Sequence, residues 1–250
     1  MPVTTLLDIA KRNESIQSGW TELIDEVTRA TPEVQMGAAR TIKGLNYNTR
    51  VRTGLPAVAF RKLNNGVLPT KSAVENRKVE VFPVNPNWRV DKMLGEKAED
   101  GLAGVMAEEA DAHLKGTFQS MGSQFYYGTT NDADGFPGLL QALDPAMELD
   151  ANGSTANTGS SVWVVTFGEN MVRWVVGEGG EFQITDPIDV VLPGENNQLL
   201  TFSYQELKTW IGLQVVDRYS IGRIKKLTAD SGSGLTDARL TDLFALFPVG

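Results

Sequence analysis

Residues 52–72 (Arg-Thr-Gly-Leu-Pro-Ala-Val-Ala-Phe-Arg-Lys-Leu-Asn-Asn-Gly-Val-Leu-Pro-Thr-Lys-Ser) limit what this chain can fold into more than any other stretch. Pro56 and Pro69 each remove a backbone donor and push the preceding residue into an extended conformation. Neither belongs in a helix or a central strand. Between them, Asn64-Asn65-Gly66 is a turn, with Gly66, and to a lesser degree Asn, able to accept positive φ. The stretch therefore reads as two extended arms around a reversal: a long hairpin whose edges face something outside it.

Charge adds to this. Residues 40–80 carry nine basic side chains (Arg40, Lys43, Arg50, Arg52, Arg61, Lys62, Lys71, Arg77 and Lys78) and two acidic ones (Glu75 and Glu80), a net +7. The whole chain is −8, which leaves −15 for the rest. A basic arm and an acidic body are complementary, either within one chain or between neighbouring copies. A plainer use of the same charges is to guard an exposed edge strand against aggregation.

Along the chain, residues 2–11 read as a short arm. Residues 13–30 read as an amphipathic helix, with Trp20, Leu23, Ile24 and Val27 on one face. A helical turn over 33–40 follows, then a strand over 41–52 interrupted by Gly44, the hairpin, an extended run over 72–84 and a short strand over 87–91. Residues 98–121 are the strongest helix. Leu102, Val105, Met106, Ala110, His113, Leu114, Phe118 and Met121 form its stripe, and acidic residues crowd its first half. Residues 124–138 read as a loop and 150–161 as a linker. Residues 162–166 read as a buried strand, turned at Glu169-Asn170 and partnered by 171–176. Further strands are expected at 199–202, 213–216 and 221–227. A hinge at 231–234 precedes an amphipathic helix over 236–247, with Leu240, Leu243, Phe244 and Phe247 on its face.

The chemistry-bearing residues do not assemble into a catalytic or metal-binding pattern. His113, the only histidine, sits on an apolar helical stripe without a second ligand or a neighbouring nucleophile, which indicates packing. The glycine-rich run 177–182 lacks the Lys-Ser/Thr pair of a phosphate loop and carries Glu178 and Glu181, so it reads as a surface turn. Asn131, Asp132 and Asp134 lack a closing Glu at the spacing a calcium loop needs for its roughly six to eight oxygens. Glu108 and Glu109 are adjacent on a helix and point apart, unlike a general acid/base pair. No catalytic residue, cofactor or metal site is expected.

Composition excludes several classes. The chain has no cysteine, hence no disulfide or thiolate site, which fits assembly in a reducing cytoplasm. It has no run of about 18 apolar residues, so no membrane-spanning helix is expected, and the N-terminus lacks the marks of a signal peptide. A pI near 4.8 disfavours a dedicated nucleic-acid binder but does not exclude a protein that surrounds nucleic acid without gripping its phosphates.

Several segments resemble the major capsid proteins of tailed bacteriophages, specifically the short-tailed-phage branch. Arg52-Thr53-Gly54-Leu55-Pro56, Arg61-Lys62-Leu63-Asn64, Gly66-Val67, Pro69 and Lys71-Ser72 resemble that family's extended loop. Residues 161–172 (Ser-Val-Trp-Val-Val-Thr-Phe-Gly-Glu-Asn-Met-Val) resemble its strand, G-x-N turn and strand. Leu207-Lys208-Thr209-Trp210-Ile211-Gly212-Leu213, Asp217-Arg218 and Arg223-Ile224 resemble its late body segment. The resemblance runs over most of 41–227.

It implies an α+β, Hong Kong 97-type capsid fold. The parts would be an N-terminal arm (1–40), an extended β-hairpin loop (41–84), a peripheral domain with the spine helix and following loop (85–150), and an axial domain with body strands (151–250). The family's body runs on past the equivalent of Gly250, so a shorter variant or a trimmed end is expected. The implied partners are copies of the chain in hexamers and pentamers, scaffolding and portal proteins, and packaged double-stranded DNA bound without sequence specificity. The implied location is the virion, after synthesis in the host cytoplasm, with no membrane. Inter-subunit contact is expected at Arg50, Arg52, Leu55, Phe60, Arg61, Lys62, Leu63, Val67 and Lys71. Two alternatives stand beside this: an encapsulin-like compartment shell, and a monomeric mostly-β enzyme or binding domain.

Overall fold

The computed structural model describes residues 31–156, 158–178, 182–193 and 197–248. The expected arm and amphipathic helix over 2–30 lie outside the described residues, as does part of the turn at 177–182. Five α-helices are described: α1 (Pro32–Met36), α2 (Lys92–Gly95), α3 (Gly101–Tyr127), α4 (Leu139–Ala142) and α5 (Asp237–Ala245). The strands are β1 (Ala39–Ile42), β2 (Asn46–Gly54), β3 (Ala73–Glu80), β4 (Phe82–Val84), β5 (Asn87–Asp91), β6 (Glu148–Asp150), β7 (Ser160–Val165), β8 (Val172–Gly177), β9 (Gln183–Ile184), β10 (Ile188–Pro193), β11 (Leu199–Val215) and β12 (Ile221–Leu227). Contacts divide the chain into two units. The first comprises Met1–Gln35, Pro83–Gln124 and Gly179–Ile211; the second comprises Met36–Phe82, Phe125–Glu178 and Gly212–Gly250.

In the first unit, β11 runs antiparallel to β5 (Phe202 opposite Asp91, Glu206 opposite Asn87) and to β10 (Tyr204 opposite Ile188). Strand β5 alternates strictly: Trp88 and Val90 are buried, while Asn87 is exposed and Arg89 and Asp91 are half-buried. The buried pair meets Val105, Met106 and Leu207, with Leu102, Ala110 and Leu114 packed against them. The helical stripe expected from the sequence is thus the face that α3 turns to its sheet.

In the second unit, β1 runs parallel to β8, with Ala39 opposite Trp174. A three-stranded sheet has the order β6-β12-β7. Its parallel β6–β12 register is matched by charge: Glu148 accepts from Arg223 (3.2 Å) and Lys225 (2.7 Å), and Asp150 from Lys226 (2.8 Å). Helix α5, capped by the Thr236 hydroxyl, buries Leu243 against Ile224, Leu227 and Ala151.

Several sequence expectations are corrected. Strand β7 does not pair with β8: it lies antiparallel to β12, with Val162 opposite Ile224 and Val165 opposite Ile221. Its residues 161–165 are half-buried rather than buried. The connection at 168–171 is a tight turn, with the Met171 N–H donating to the Gly168 carbonyl (3.2 Å), but sequence adjacency does not make its flanks partners. The strands expected at 199–202 and 213–216 are the ends of one 17-residue strand, β11. Polar Gln205, Lys208 and Thr209 conceal that continuity.

Helix α3 extends to Tyr127, past the expected boundary at Met121. Gly122 lowers local helix propensity, but Phe125, buried, packs its ring with Trp174 at 5.3 Å and Phe167 at 6.2 Å, and tertiary packing decides. On α5, Phe244 is 58% exposed, so it does not share the buried face with Leu243.

The linker at 150–161 and the hinge at 231–234 are both tied down. The Asp230 carboxylate accepts from the Ser154 N–H (2.9 Å), the Thr155 N–H (3.0 Å), and the Thr155 and Thr228 hydroxyls. These donors, the Thr155 hydroxyl foremost, hold its pKa far below the usual carboxylate range. The Arg239 guanidinium donates to the carbonyls of Gly232 (2.7 Å), Ala151 (3.2 Å) and Gly234. Turn-forming composition here marks a hydrogen-bonded loop pair, not slack chain.

Candidate assembly interface

The hairpin has a fixed root and a bare tip. Strands β2 and β3 form an antiparallel ladder from Asn46 opposite Glu80 to Gly54 opposite Ala73, with a register shift between Arg52 and Gly54. Along β2, Tyr47, Thr49 and Val51 are half-buried, while Asn48, Arg50 and Arg52 are exposed. Val79 is buried with Ile42, Val81 and Val175, and Tyr47 packs against them. The Tyr47 hydroxyl donates to Gln214, whose amide oxygen also accepts from Arg173 Nε (2.9 Å). The Gln214 amide nitrogen donates to the Glu169 carbonyl (3.0 Å). On the other strand, Arg77 donates to the Val216 carbonyl. The strand itself passes close to β11: a side chain at Gly212 would collide with the Glu80 carbonyl.

Beyond Gly54 the pairing stops. Residues 55–71 are all exposed and belong to no strand. This corrects the expectation of two mutually paired arms. Pro56 and Pro69 withhold donors from any ladder. One hydrogen bond joins the arms among the described residues, from the Thr70 hydroxyl to the Ala57 carbonyl (2.8 Å). The reversal is closed by the Asn65 N–H donating to the Lys62 carbonyl (3.1 Å). The turn expected at 64–66 lies slightly earlier, at 62–65, and the positive φ falls on Asn64 (65°) and not on Gly66.

All nine residues expected to make inter-subunit contacts are exposed on this hairpin. Leu55 is 81% exposed, Phe60 106% and Leu63 94%. Leu68, at 85%, belongs with them although it is not among the nine; the apolar run Val67-Leu68 before Pro69 carries the signal. The cations divide in a telling way. Lys43, Arg77 and Lys78 have carboxylate neighbours in Glu178, Glu75 and Glu80. Arg50, Arg52, Arg61, Lys62 and Lys71 make no ion pair with another described residue. Apolar side chains of this size, clustered within residues 55–68 and exposed, mark an interaction surface, and the unpaired cations give it a sign.

The other candidates resolve as packing or turns. His113 stacks on Trp88, ring centroids 4.9 Å apart. It lines an open groove of about 390 Å³ with Asn85, Gly116 and Thr117, where no charged groups converge. The Asp134 N–H donates to the Asp132 carboxylate (3.0 Å), a local turn. Among the described residues, no group of His, Cys, Asp and Glu could hold a metal ion, and no helix is long and apolar enough to cross a membrane.

A model of the family "Major capsid protein GP7" matches residues 28–245. The chain belongs to this family of major capsid proteins. It is a structural protein of a tailed-phage capsid, built to form a shell with other capsid subunits in the virion.

The fold agrees. A chain of the bacteriophage Epsilon15 structure is similar over 100% of this chain and 79% of its own length, with a TM-score of 0.70 and 22% identity. The capsid of the myovirus XM1 is similar at a TM-score of 0.59 and 9% identity, covering 82% of this chain and 95% of that one. The SrpI encapsulin of Synechococcus elongatus PCC 7942 gives 0.57 and 8%, covering 86% and 96%. No curated protein sequence matches the chain. The capsid protein therefore has the Hong Kong 97-type fold in mixed α+β form, with α3 as its long spine helix.

Proposed function

We propose that this capsid protein assembles into hexamers and pentamers that close into an icosahedral shell around double-stranded DNA, and that the hairpin tip is the part each copy lays on the next. The observation carrying this is the hairpin: bare apolar side chains on its tip, and five cations along tip and root that make no ion pair with a described residue, on a projection whose root is anchored by buried Val79 and by Tyr47. Apolar burial contributes roughly 25 cal/mol per Å², so each contact is modest and repetition around a closed ring stabilises the whole. Arg50, Arg52, Arg61, Lys62 and Lys71 set register and orientation against the acidic remainder of a neighbour more than they add affinity.

In this reading residues 1–40 are the arm, 41–84 the extended loop, 85–150 the peripheral domain and 151–250 the axial domain with body strands. Scaffolding and portal proteins are its partners during assembly in the host cytoplasm, and its role is structural rather than catalytic. The chain's net charge of −8 suits DNA held without a tight phosphate grip.

The test is the double substitution Arg61→Glu with Lys62→Glu. Both side chains are exposed, so the subunit should keep its circular dichroism and melting temperature. Electron microscopy should show that closed shells are lost or misdirected. Normal particles would remove the hairpin from the interface. The similarity to the SrpI encapsulin supports a second reading, a compartment shell loaded with enzyme. Nucleic-acid absorbance of purified particles separates the two.

A further inference from the structure

The turn leaves Gly66 without a conformational task. Its φ is not positive, and a side chain added there would meet open space. The glycine does, however, follow Asn65, and the Asn-Gly pair sits in the fully exposed tip of the hairpin. Neither the Asn65 side-chain amide nor the Gly66 N–H has a hydrogen-bond partner among the described residues.

We infer that Asn65-Gly66 is a site of spontaneous covalent modification, in which water converts the Asn65 amide to a carboxylate. The Gly66 backbone nitrogen attacks Cγ of Asn65. The new N–Cγ bond forms as the Cγ–Nδ2 bond breaks, and the nitrogen's proton leaves with the amide as ammonia. Water then opens the five-membered succinimide at either carbonyl, giving aspartate or isoaspartate at position 65. No electron changes hands, and solvent water is the only co-reactant. The reaction needs a bare backbone nitrogen and a peptide free to rotate, and glycine supplies both.

The chain holds one other Asn-Gly pair, which serves as an internal reference. Asn152 is also exposed, but its backbone is locked. It sits at φ 59°, its N–H donates to the Asp150 carboxylate (2.8 Å), and the Gly153 N–H donates to the Lys226 carbonyl (3.1 Å). Attack by the Gly153 nitrogen requires that loop to open first. Exposure is shared between the two sites, and backbone freedom is not.

Conversion at 65 places a negative charge beside Arg61 and Lys62, and the isoaspartate product adds a methylene to the backbone of the turn. Both changes fall on the surface that the assembly reading gives to a neighbouring copy, so on that reading the unassembled subunit loses competence with age.

The experiment is peptide mapping by mass spectrometry of the folded, unassembled fraction of the full-length chain, aged in mildly alkaline buffer. Asn65 should convert at least about tenfold faster than Asn152, since the hydrogen bonds at 152–153 must open first. Gly66→Ala, which the turn accommodates, should slow conversion at 65 by a similar factor, and urea should bring Asn152 up to the rate of Asn65. An Asn65 that keeps its amide, equal rates at the two sites in the folded chain, or an unaffected Gly66→Ala variant would each overturn the site. Assembled particles should preserve the amide at 65. Equal conversion in free and assembled fractions would remove the tip from the interface and leave the modification site standing.

Discussion

Phe60 separates the stability of the subunit from the stability of the shell. Its side chain is fully exposed, so Phe60→Ala removes no contact with another described residue. Exposed substitutions of this kind shift folding stability by about 0.5 kcal/mol or less. If the ring is buried on a neighbour, its loss removes most of the roughly 2–3 kcal/mol that burying a Phe side chain contributes. Taking about 2 kcal/mol, each loop contact weakens by about thirtyfold. Around a six-membered ring the same loss recurs six times, of the order of 12 kcal/mol in all.

The measurements are the melting temperature of the unassembled subunit and the critical concentration for assembly by light scattering, at low and high salt. The melting temperature should stay fixed while the critical concentration rises at least about tenfold. The defect should persist in high salt, because apolar burial is not screened. The Arg61→Glu, Lys62→Glu defect should change with ionic strength. Assembly of Phe60→Ala at the wild-type concentration would refute burial of the tip. A lowered melting temperature would mean that Phe60 packs on its own chain.

Two further predictions concern the supports. Gln214→Ala should destabilise the subunit by about 2–4 kcal/mol in denaturant unfolding, because it strands the Tyr47 hydroxyl, Arg173 Nε and the Glu169 carbonyl around a buried position. The Asp230 carboxylate, its pKa lowered chiefly by the Thr155 hydroxyl, stabilises the loop pair above the ordinary carboxylate range. That stabilisation fades as pH falls below the range toward the lowered pKa, so the protection of amides at 151–155, measured relative to their intrinsic exchange at each pH, should fall in acid for the wild type. Asp230→Asn should exchange quickly at neutral pH already.

Which parts of the fold are legible in the sequence follows from which forces are local. Strand β5 and the inner face of α3 carry their periodicity in side chains of contrasting polarity, so the strand over 87–91 and the stripe through Val105 and Met106 can be read from the residues alone. That the chain reverses near Asn64-Asn65 is legible from its residues, and so is the exposure of the nine residues proposed for contact, from their place on a basic, proline-bracketed hairpin. Pairing is not legible. Nothing in residues 160–165 says that their partner is 221–227 rather than 172–177, because ladder choice rests on contacts far apart in sequence. The loops at 151–156 and 228–234 look alike in composition to flexible linkers, and what fixes them is the meeting of Asp230 with Ser154 and Thr155 and of Arg239 with the carbonyls of Ala151, Gly232 and Gly234. Tyr47, Arg77 and Gln214 give no signal for the same reason: each is ordinary alone, and the root exists only where they converge.

The division of the hairpin into root and tip bears on how one sequence could serve the two ring sizes of the proposed shell. A copy in a five-membered ring and a copy in a six-membered ring meet their neighbours at different angles, so something between body and contact must bend. The root cannot bend cheaply, since Val79 is buried and Tyr47 and Arg77 are bonded to the strand behind them. The tip is held by one cross-arm bond and one turn bond. The register shift between Arg52 and Gly54 lies at the junction of the two, where the ladder is already broken and an extra residue can absorb rotation without unpairing its neighbours. If the tip is the contact, the shift is the pivot. On the same reading, apolar contacts made by Leu55, Phe60 and Leu63 would be non-directional and would tolerate the change in angle, while the cations on either side would keep the register.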